Sequence, residues 1–240
     1  MDCALEIHDY LPLMYPSASE GEYIRFVWEA FESNYNAGKY QFAMLAFHML
    51  YMSYVYFSVW QIRQAQPGDF AKSVIFMKKE EEAGLLNASS PFSFSEINER
   101  TIFKFLRLAG CESQHIGKFQ KLVDQRNEIA HPNGNIYFSD QATAHQRIEG
   151  VMQQVRGIQA HMPAVLHTCL LQFLRDSADP DEREVADIND HVEMNFLHKY
   201  YLSRKDIEAS LMCNLSEFDT SPFKGEVQAL VAALRARLED

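Results

Sequence analysis

The sequence has no pair of closely spaced cysteines. Its four cysteines lie far apart, and no CxxC pair occurs among Cys3, Cys111, Cys169 and Cys213. This spacing argues against a zinc ribbon and a disulfide framework, and it is typical of proteins in a reducing cytosol. The first residues, MDCALEIHDYLP, contain acidic residues and no long apolar run. We therefore expect no secretory signal and a cytoplasmic location.

Short motifs of common catalytic sites are absent as well. The sequence contains no GxSxG nucleophile elbow and no HExxH zinc helix. Asp187, His191, Met194 and His198 have the spacing of one helical stripe, and two histidines with a carboxylate can bind a metal. Because no third strong ligand is evident, we predict that this stripe is structural, and we expect neither a metal nor another cofactor.

Positive charge is scarce, and its distribution is uneven. The chain has 33 acidic and 22 basic residues, which gives a net charge of −11. A protein that coats nucleic acid through its overall field should be basic, so this class is disfavoured. Fifteen acidic residues against seven basic ones follow residue 175, whereas residues 96–131 carry six basic and five acidic residues. A small phosphate-binding cleft in this second region therefore remains compatible with the composition.

Helical periodicity extends along almost the whole chain, and no convincing alternating pattern predicts a strand. We predict an all-α protein with an antiparallel helical bundle over residues 1–176 and an acidic helical extension over 177–240. We predict six helices in the bundle. The first begins at Ser17–Glu20, the second ends at Gln66, and the third covers 69–86. The fourth runs from Ser95 to Gly110, the fifth begins near Glu112, and the sixth runs from Ser139-Asp140 to about Arg175 with an interruption at Pro163. Those of the extension cover 181–195, 203–212 and 225–238.

Two apolar patterns accompany these helices. The first helix carries an apolar stripe at Tyr23, Phe26, Val27, Ala30, Phe31 and Tyr35. Residues 42–60 contain no formal charge and are long enough to cross a membrane. Because this run includes polar residues, we favour a buried core helix over a membrane span, and we expect no membrane association.

The segment with the most chemistry is Arg126-Asn127-Glu128-Ile129-Ala130-His131, which is followed by Pro132-Asn133-Gly134. Proline disfavours the helical conformation at the preceding residue, so we predict that His131 is the last residue of the fifth helix. On an ideal helix, residues 126 and 131 are about 140° apart with a rise of about 7.5 Å, so they do not share a face. Either Arg126 and His131 reach two sides of one phosphate, or two copies of the helix meet antiparallel and form one cleft.

These side chains suit metal-independent phosphate chemistry. Arg126 is always charged and can stabilise charge that develops on phosphate oxygens. His131 can take a proton from an RNA 2′-hydroxyl or give one to the departing 5′-oxygen, and Asn127 can orient either group. We also assign Glu128, Lys121 and Tyr137 to substrate binding, Tyr137 as a residue on which a base can stack.

Arg126, Asn127 and His131, at the end of a helix in an all-helical chain, resemble the signature of the HEPN (higher eukaryotes and prokaryotes nucleotide-binding) family. The resemblance implies a helical bundle and a metal-independent endoribonuclease that leaves 2′,3′-cyclic phosphates. It further implies a homodimer with a composite active site, a toxin–antitoxin or phage-defence role, and an inhibitory or activating protein partner. Asn133 stands where toxins that a nucleotidyltransferase controls often have tyrosine, so the resemblance does not imply that mode of control.

Alternative interpretations remain open. Arg126 can pair with Asp124 or Glu128 while His131 caps the helix, which would make the motif structural. A HEPN-like module can also bind RNA, a nucleotide or a protein without catalysis. One of the acidic residues 80–82 can supply a carboxylate to the cleft, although an exposed helix face is the more ordinary role for them. Tyr137 and Phe138 can equally pack against the next helix.

Overall fold

The computed structural model describes residues 2–131, 134–137 and 140–239, and these residues form an all-α fold, as the sequence predicts. The α-helices are α1 (Asp2–Leu5), α2 (Ala18–Asn36), α3 (Tyr40–Ala65), α4 (Pro67–Val74), α5 (Lys79–Leu86), α6 (Glu99–Ile102), α7 (Ser113–Ala130), α8 (Gln141–Gln159), α9 (Pro163–Ser177), α10 (Ile188–Val192), α11 (Arg204–Ser210) and α12 (Lys224–Ala236). Further helical segments are the 3-10 turns Glu6–Tyr10, Pro91–Glu96, Phe103–Ala109, Pro180–Glu182 and Ser216–Phe218, and the π-helical segment Glu193–His198.

Helix α3 is the centre of the fold. Every residue from Leu50 to Ile62 is buried, because α2, α7, α8 and α9 all pack against this helix. It is long and apolar enough to cross a membrane, yet 83% of its most apolar window is buried within the protein. This burial confirms the prediction of a core helix, and it fits a soluble protein.

Helices α2 and α3 form an antiparallel hairpin. Gly38 has φ +70° and allows the predicted break between them. The buried face of α2 consists of Ile24, Val27, Phe31 and Tyr35. The stripe inferred from the sequence is therefore partly wrong, since Phe26 is 67% exposed. The face of α2 that packs against α3 is therefore narrower than the apolar pattern indicated.

The predicted helix over residues 69–86 is wrong, because two helices occupy this range. Helix α4 ends at Val74, and α5 begins after Lys78, whose backbone is extended. The acidic residues 80–82 lie in the first turn of α5, where the helix dipole favours negative charge. This run is therefore a helix-start signal, in which Glu80 is exposed and Glu81 and Glu82 are half-buried.

The predicted helix from Ser95 to Gly110 is also wrong in its interior. The range contains the end of a 3-10 turn, the short α6 and the 3-10 segment 103–109. Asn98, not Ser95, caps α6, and its side chain accepts the backbone N–H of Arg100 at 3.0 Å. Gly110 ends the segment as predicted, with φ +86°.

The interruption predicted at Pro163 in the long sixth helix is confirmed, and it divides this range into two helices, α8 and α9. The Asp140 side chain accepts the backbone N–H of Thr143 and caps α8, whereas Ser139 lies outside the described residues. Pro163 is the first residue of α9, a position where the missing proline N–H costs no hydrogen bond.

The chain after Ser177 contributes to the same buried cluster as the earlier helices, through side chains such as Phe196 and Leu202. Its first predicted helix, over 181–195, is wrong, because α10 begins only after Asp187, which caps it. His191 is buried and its Nε2 lies 2.8 Å from Ser177 Oγ. Within the described ranges no group of side chains has the arrangement of a metal site. The boundary at residue 176 stays a prediction.

Candidate functional site

Arg126 lies one turn before the C-terminus of α7 and is half-buried. Its Nη2 lies 2.6 Å from Glu99 Oε1, so its ion-pair partner comes from α6. Asp124, one of the partners considered from the sequence, instead pairs with Arg100. The motif arginine is therefore fixed by tertiary structure, through a contact that no local spacing rule predicts.

Glu99 joins Arg126 to His48, which α3 supplies. His48 Nε2 lies 3.2 Å from Glu99 Oε2, and His48 is only 6% exposed. Burial by itself raises the pKa of Glu99, but hydrogen bonds from His48 and Arg126 outweigh it and lower that pKa to about 2. Glu99 is thus a carboxylate at neutral pH. We call these three residues the Arg126–Glu99–His48 cluster.

The cluster forms the polar wall of an open cavity of about 720 Å³, which we call the main cavity. The remaining wall is mostly apolar and aromatic, and Glu20 is a further acidic residue in it. The apolar and aromatic lining side chains are Tyr23, Leu45, Met49, Met52, Tyr56 and Phe92. A cavity with an arginine at one wall and aromatic rings at another can accept a phosphate together with a flat apolar group.

The guanidinium of Arg126 is not fully used by the protein. Its Nε is buried and has no hydrogen-bond partner among the described residues. Arg126 also lines a smaller cavity of about 320 Å³ together with Asn127 and Asn98. A buried donor without a partner is costly unless a ligand or water completes it, so this atom is a candidate contact for an anion.

His131 ends α7 as predicted. Its backbone is extended, with φ −82° and ψ 138°, and its N–H donates to the carbonyl oxygen of Asn127 at 3.1 Å. The imidazole is exposed, and it is not among the side chains that line the main cavity, although Ala130 is. Within one chain, the structure therefore does not bring Arg126 and His131 to one cavity. Pro132 and Asn133 lie outside the described residues.

Gln41, at the start of α3, holds the chain on both sides of His131. Its Nε2 donates to the carbonyl oxygen of Ile129 at 3.3 Å, and its Oε1 accepts the N–H of Tyr137 at 3.1 Å. Sequence reasoning missed this residue, since nothing in its neighbourhood marks it. Gln41 fixes where the end of α7 can place the imidazole.

The other predicted site residues lie outside the main cavity. Lys121 is exposed and lines a groove between α7 and α8, and Glu128 is exposed. Tyr137 is half-buried and packs against the core, which favours the packing role considered for it; Phe138 lies outside the described residues. The carboxylates that line the main cavity are Glu99 and Glu20, and none of the acidic residues 80–82 lines it. His48 and Glu99 were missed because neither is close to the motif in sequence.

No family model, curated protein or solved structure matches this chain. The resemblance to the HEPN family therefore depends on the motif and on the all-α fold.

Proposed function

We propose that this chain is a HEPN-type, metal-independent endoribonuclease that acts as a cytoplasmic homodimer. The observation that carries the proposal is the position of Arg126, whose guanidinium Glu99 holds at the wall of the main cavity. One turn further along α7, the imidazole of His131 is exposed at the helix end. An oriented cation next to a cavity, close to a titratable group, suits phosphoryl transfer.

The proposed reaction is an internal displacement in RNA. The 2′-oxygen attacks the neighbouring phosphorus, loses its proton to a base, and the P–O5′ bond breaks as an acid protonates the 5′-oxygen. The products are a 2′,3′-cyclic phosphate and a free 5′-hydroxyl. Arg126 donates hydrogen bonds to the non-bridging phosphate oxygens, and His131 transfers protons. Asn127 orients the imidazole of His131, because both residues lie at the C-terminal end of α7. Glu99 keeps the guanidinium in place and does not touch the reacting atoms.

A dimer would bring the two separated halves of the motif together. Because His131 lies outside the cavity that Arg126 lines, we propose that each active site combines Arg126 of one chain with His131 of the other. Large apolar side chains are exposed on two helices that contribute to the main cavity: Phe26 on α2 is 67% exposed and Phe42 on α3 is 59% exposed. Tyr23 and Met49, on the same two helices, are exposed and line the cavity. Exposed apolar patches of this kind mark interaction surfaces.

The first test is cleavage of total RNA in the presence of EDTA, with analysis of the fragment ends. We expect cyclic phosphate ends from the wild type and a loss of about 100-fold or more for Arg126→Ala and for His131→Ala. Arg175→Ala and His145→Ala change an exposed arginine and an exposed histidine elsewhere and serve as matched controls. Unchanged cleavage in both motif variants, with intact helical circular dichroism, would overturn the assignment.

The second test addresses the composite site. Equal amounts of the Arg126→Ala and His131→Ala chains are unfolded together and refolded, so that half of the dimers are mixed. Each mixed dimer then has one site with both wild-type groups, and activity should return to about a quarter of the wild-type level. If both groups act within one chain, no intact site forms and the mixture stays inactive.

A toxin or phage-defence role is part of this proposal. Expression of the wild type in bacteria should slow growth, while His131→Ala should not, and a protein that binds the cleft would act as inhibitor. The competing function is a non-catalytic module that binds RNA or a nucleotide, and the separation of His131 from the main cavity favours it. RNA binding of equal affinity in the wild type and His131→Ala, without cleavage by either, would establish this second function.

A further inference from the structure

A groove between α7 and α8 has a composition unlike the rest of this acidic chain. Its volume is about 480 Å³. Two lysines and one arginine line it together with glutamines, and none of the lining residues is acidic. The lining residues are Lys118, Lys121, Leu122, Gln125, Thr143, Gln146, Arg147, Gly150 and Gln154. A lining of cations and amides suits an anion with hydrogen-bonding groups and does not suit an apolar ligand.

The lysines of this groove differ from several other cations of the protein in their ion pairing. Arg156 pairs with Glu6 and Glu149, and Arg183 pairs with Glu226. Lys118 and Lys121 are exposed, and among the described residues no carboxylate lies within ion-pairing distance of either. Their charge is therefore not neutralised locally in a molecule whose net charge is −11.

The groove adjoins the Arg126–Glu99–His48 cluster. Gln125 and Arg147 line the groove and also a narrow gap that Arg126 and His48 line from the other side. Gln125 Oε1, at this junction, is buried and has no hydrogen-bond partner among the described residues. From Lys118 to Arg126 the helix rises about 12 Å. On an ideal helix, Lys118 and Arg126 are about 80° apart and Lys121 and Arg126 about 140° apart, so the groove and the motif arginine lie on different faces of α7, which meet at the narrow gap.

We propose that the α7–α8 groove binds the phosphate backbone of single-stranded RNA next to the linkage that is cleaved. This inference rests on the proposed function, since it assigns the path of the same substrate. The lysines contact phosphates. Gln125 Oε1 accepts a hydrogen bond from a ribose 2′-hydroxyl, a group that DNA lacks. A single strand fits a groove between two neighbouring helices, whereas an RNA duplex is recognised across wide minor grooves.

The experiment measures binding of a fluorescein-labelled 12-nucleotide single-stranded RNA by anisotropy at several salt concentrations. All variants carry His131→Ala, so that the RNA is not cut. Lys118→Ala/Lys121→Ala should weaken binding about tenfold or more at low salt and reduce the salt slope by about 1.4, which is 0.7 for each lysine. Lys78→Ala/Lys79→Ala removes the same charge from two exposed lysines at the start of α5 and should leave both quantities unchanged.

Every other outcome overturns the proposal. Equal weakening by both double variants would mean that RNA responds only to overall charge. Unchanged binding in Lys118→Ala/Lys121→Ala would mean that RNA does not use the groove, and equal affinity for a blunt RNA duplex would exclude the single-strand assignment. Melting curves and a Lys118→Gln/Lys121→Gln variant control for folding. Because binding is measured without cleavage, an inactive wild type would refute the endoribonuclease and leave the result on the groove standing.

Discussion

Two carboxylates of this protein have opposite surroundings. Asp206, in α11, is 3% exposed, and burial raises its pKa. Glu99 is half-buried beside the main cavity, where hydrogen bonds from His48 and Arg126 lower its pKa to about 2 although partial burial raises it. The first carboxylate is surrounded by the core, and the second faces a space that a ligand can enter.

The hydrogen-bond partners of Asp206 are neutral groups. It accepts hydrogen bonds from Gln61 at 3.0 Å, Gln159 at 2.9 Å and the backbone N–H of Ser203 at 3.0 Å. These contacts join α3, α8 and α11, and they attach the chain after residue 177 to the central helix. A buried polar network of this kind stabilises one arrangement of the core.

The partners of Glu99 include the charged Arg126, whose guanidinium has an unused donor. Arg126 uses one Nη for Glu99 while its Nε has no partner among the described residues. The comparison teaches that burial of a carboxylate does not by itself indicate a functional site. The adjacent cavity and the charged partners are what distinguish the Arg126–Glu99–His48 cluster, since Gln61, a partner of Asp206, also has a buried oxygen without a partner among the described residues.

The largest expected effect concerns the contribution of Asp206 to the free energy of unfolding. Asp206→Ala leaves several buried donors without an acceptor, so we expect a loss of about 3 kcal/mol or more in the free energy of unfolding, measured with urea. Glu99→Ala should cost about 1 kcal/mol, because water in the main cavity can reach the remaining groups. Similar losses for both variants would remove the distinction.

The next effect concerns catalysis. Glu99→Gln keeps the shape of the side chain but removes the charge that holds Arg126, so we expect RNA cleavage to fall about tenfold to a hundredfold. Asp206→Asn should leave the rate per folded molecule unchanged, because Asp206 lines none of the cavities described above. A Glu99→Gln enzyme with the wild-type rate would contradict the positioning role of Glu99.

The contributions of Glu99 and Asp206 to the free energy of unfolding should change in opposite directions as the pH rises. The lowered pKa of Glu99 means that its contribution to stability is present above about pH 4.5 and is lost as the pH falls toward 2. The pKa of Asp206 is raised above 3.8, so the folded state keeps a proton that the unfolded state releases, and this contribution declines as the pH rises from about 3.8. In urea unfolding from pH 2 to 7, the free energy of unfolding of Glu99→Gln should fall less at acid pH than that of the wild type. That of Asp206→Asn should rise more steeply with pH than that of the wild type. The same shift in both variants would refute these assignments.

The smallest effect concerns Gln41. Gln41→Ala removes the two hydrogen bonds on either side of His131, so we expect an RNA cleavage rate about tenfold lower and a stability loss of about 1 kcal/mol. Gln172→Ala, which changes an exposed glutamine on α9, is the matched control. An unchanged cleavage rate would mean that the end of α7 is positioned without Gln41.

Much of the fold could be predicted, because its signals are local. The apolar run of α3, the glycines at 38 and 110, the aspartate cap of α8 and the proline at the start of α9 each act within one or two turns. The errors arose where local signals were ambiguous. The range 69–86 has a continuous helical pattern, yet the extended backbone at Lys78 divides it, and the acidic first turn of α5 was interpreted as a surface feature.

The sequence by itself determined that the chain is all-α, that α3 is the core and that Arg126 and His131 lie at the end of one helix. Only the tertiary structure decided that Glu99 holds Arg126, that His48 lies beside them and that His131 is outside the main cavity. The physical reason is range: caps, turns and helical stripes depend on neighbours a few residues apart, whereas His48, Glu99 and Arg126 meet only after three helices have packed.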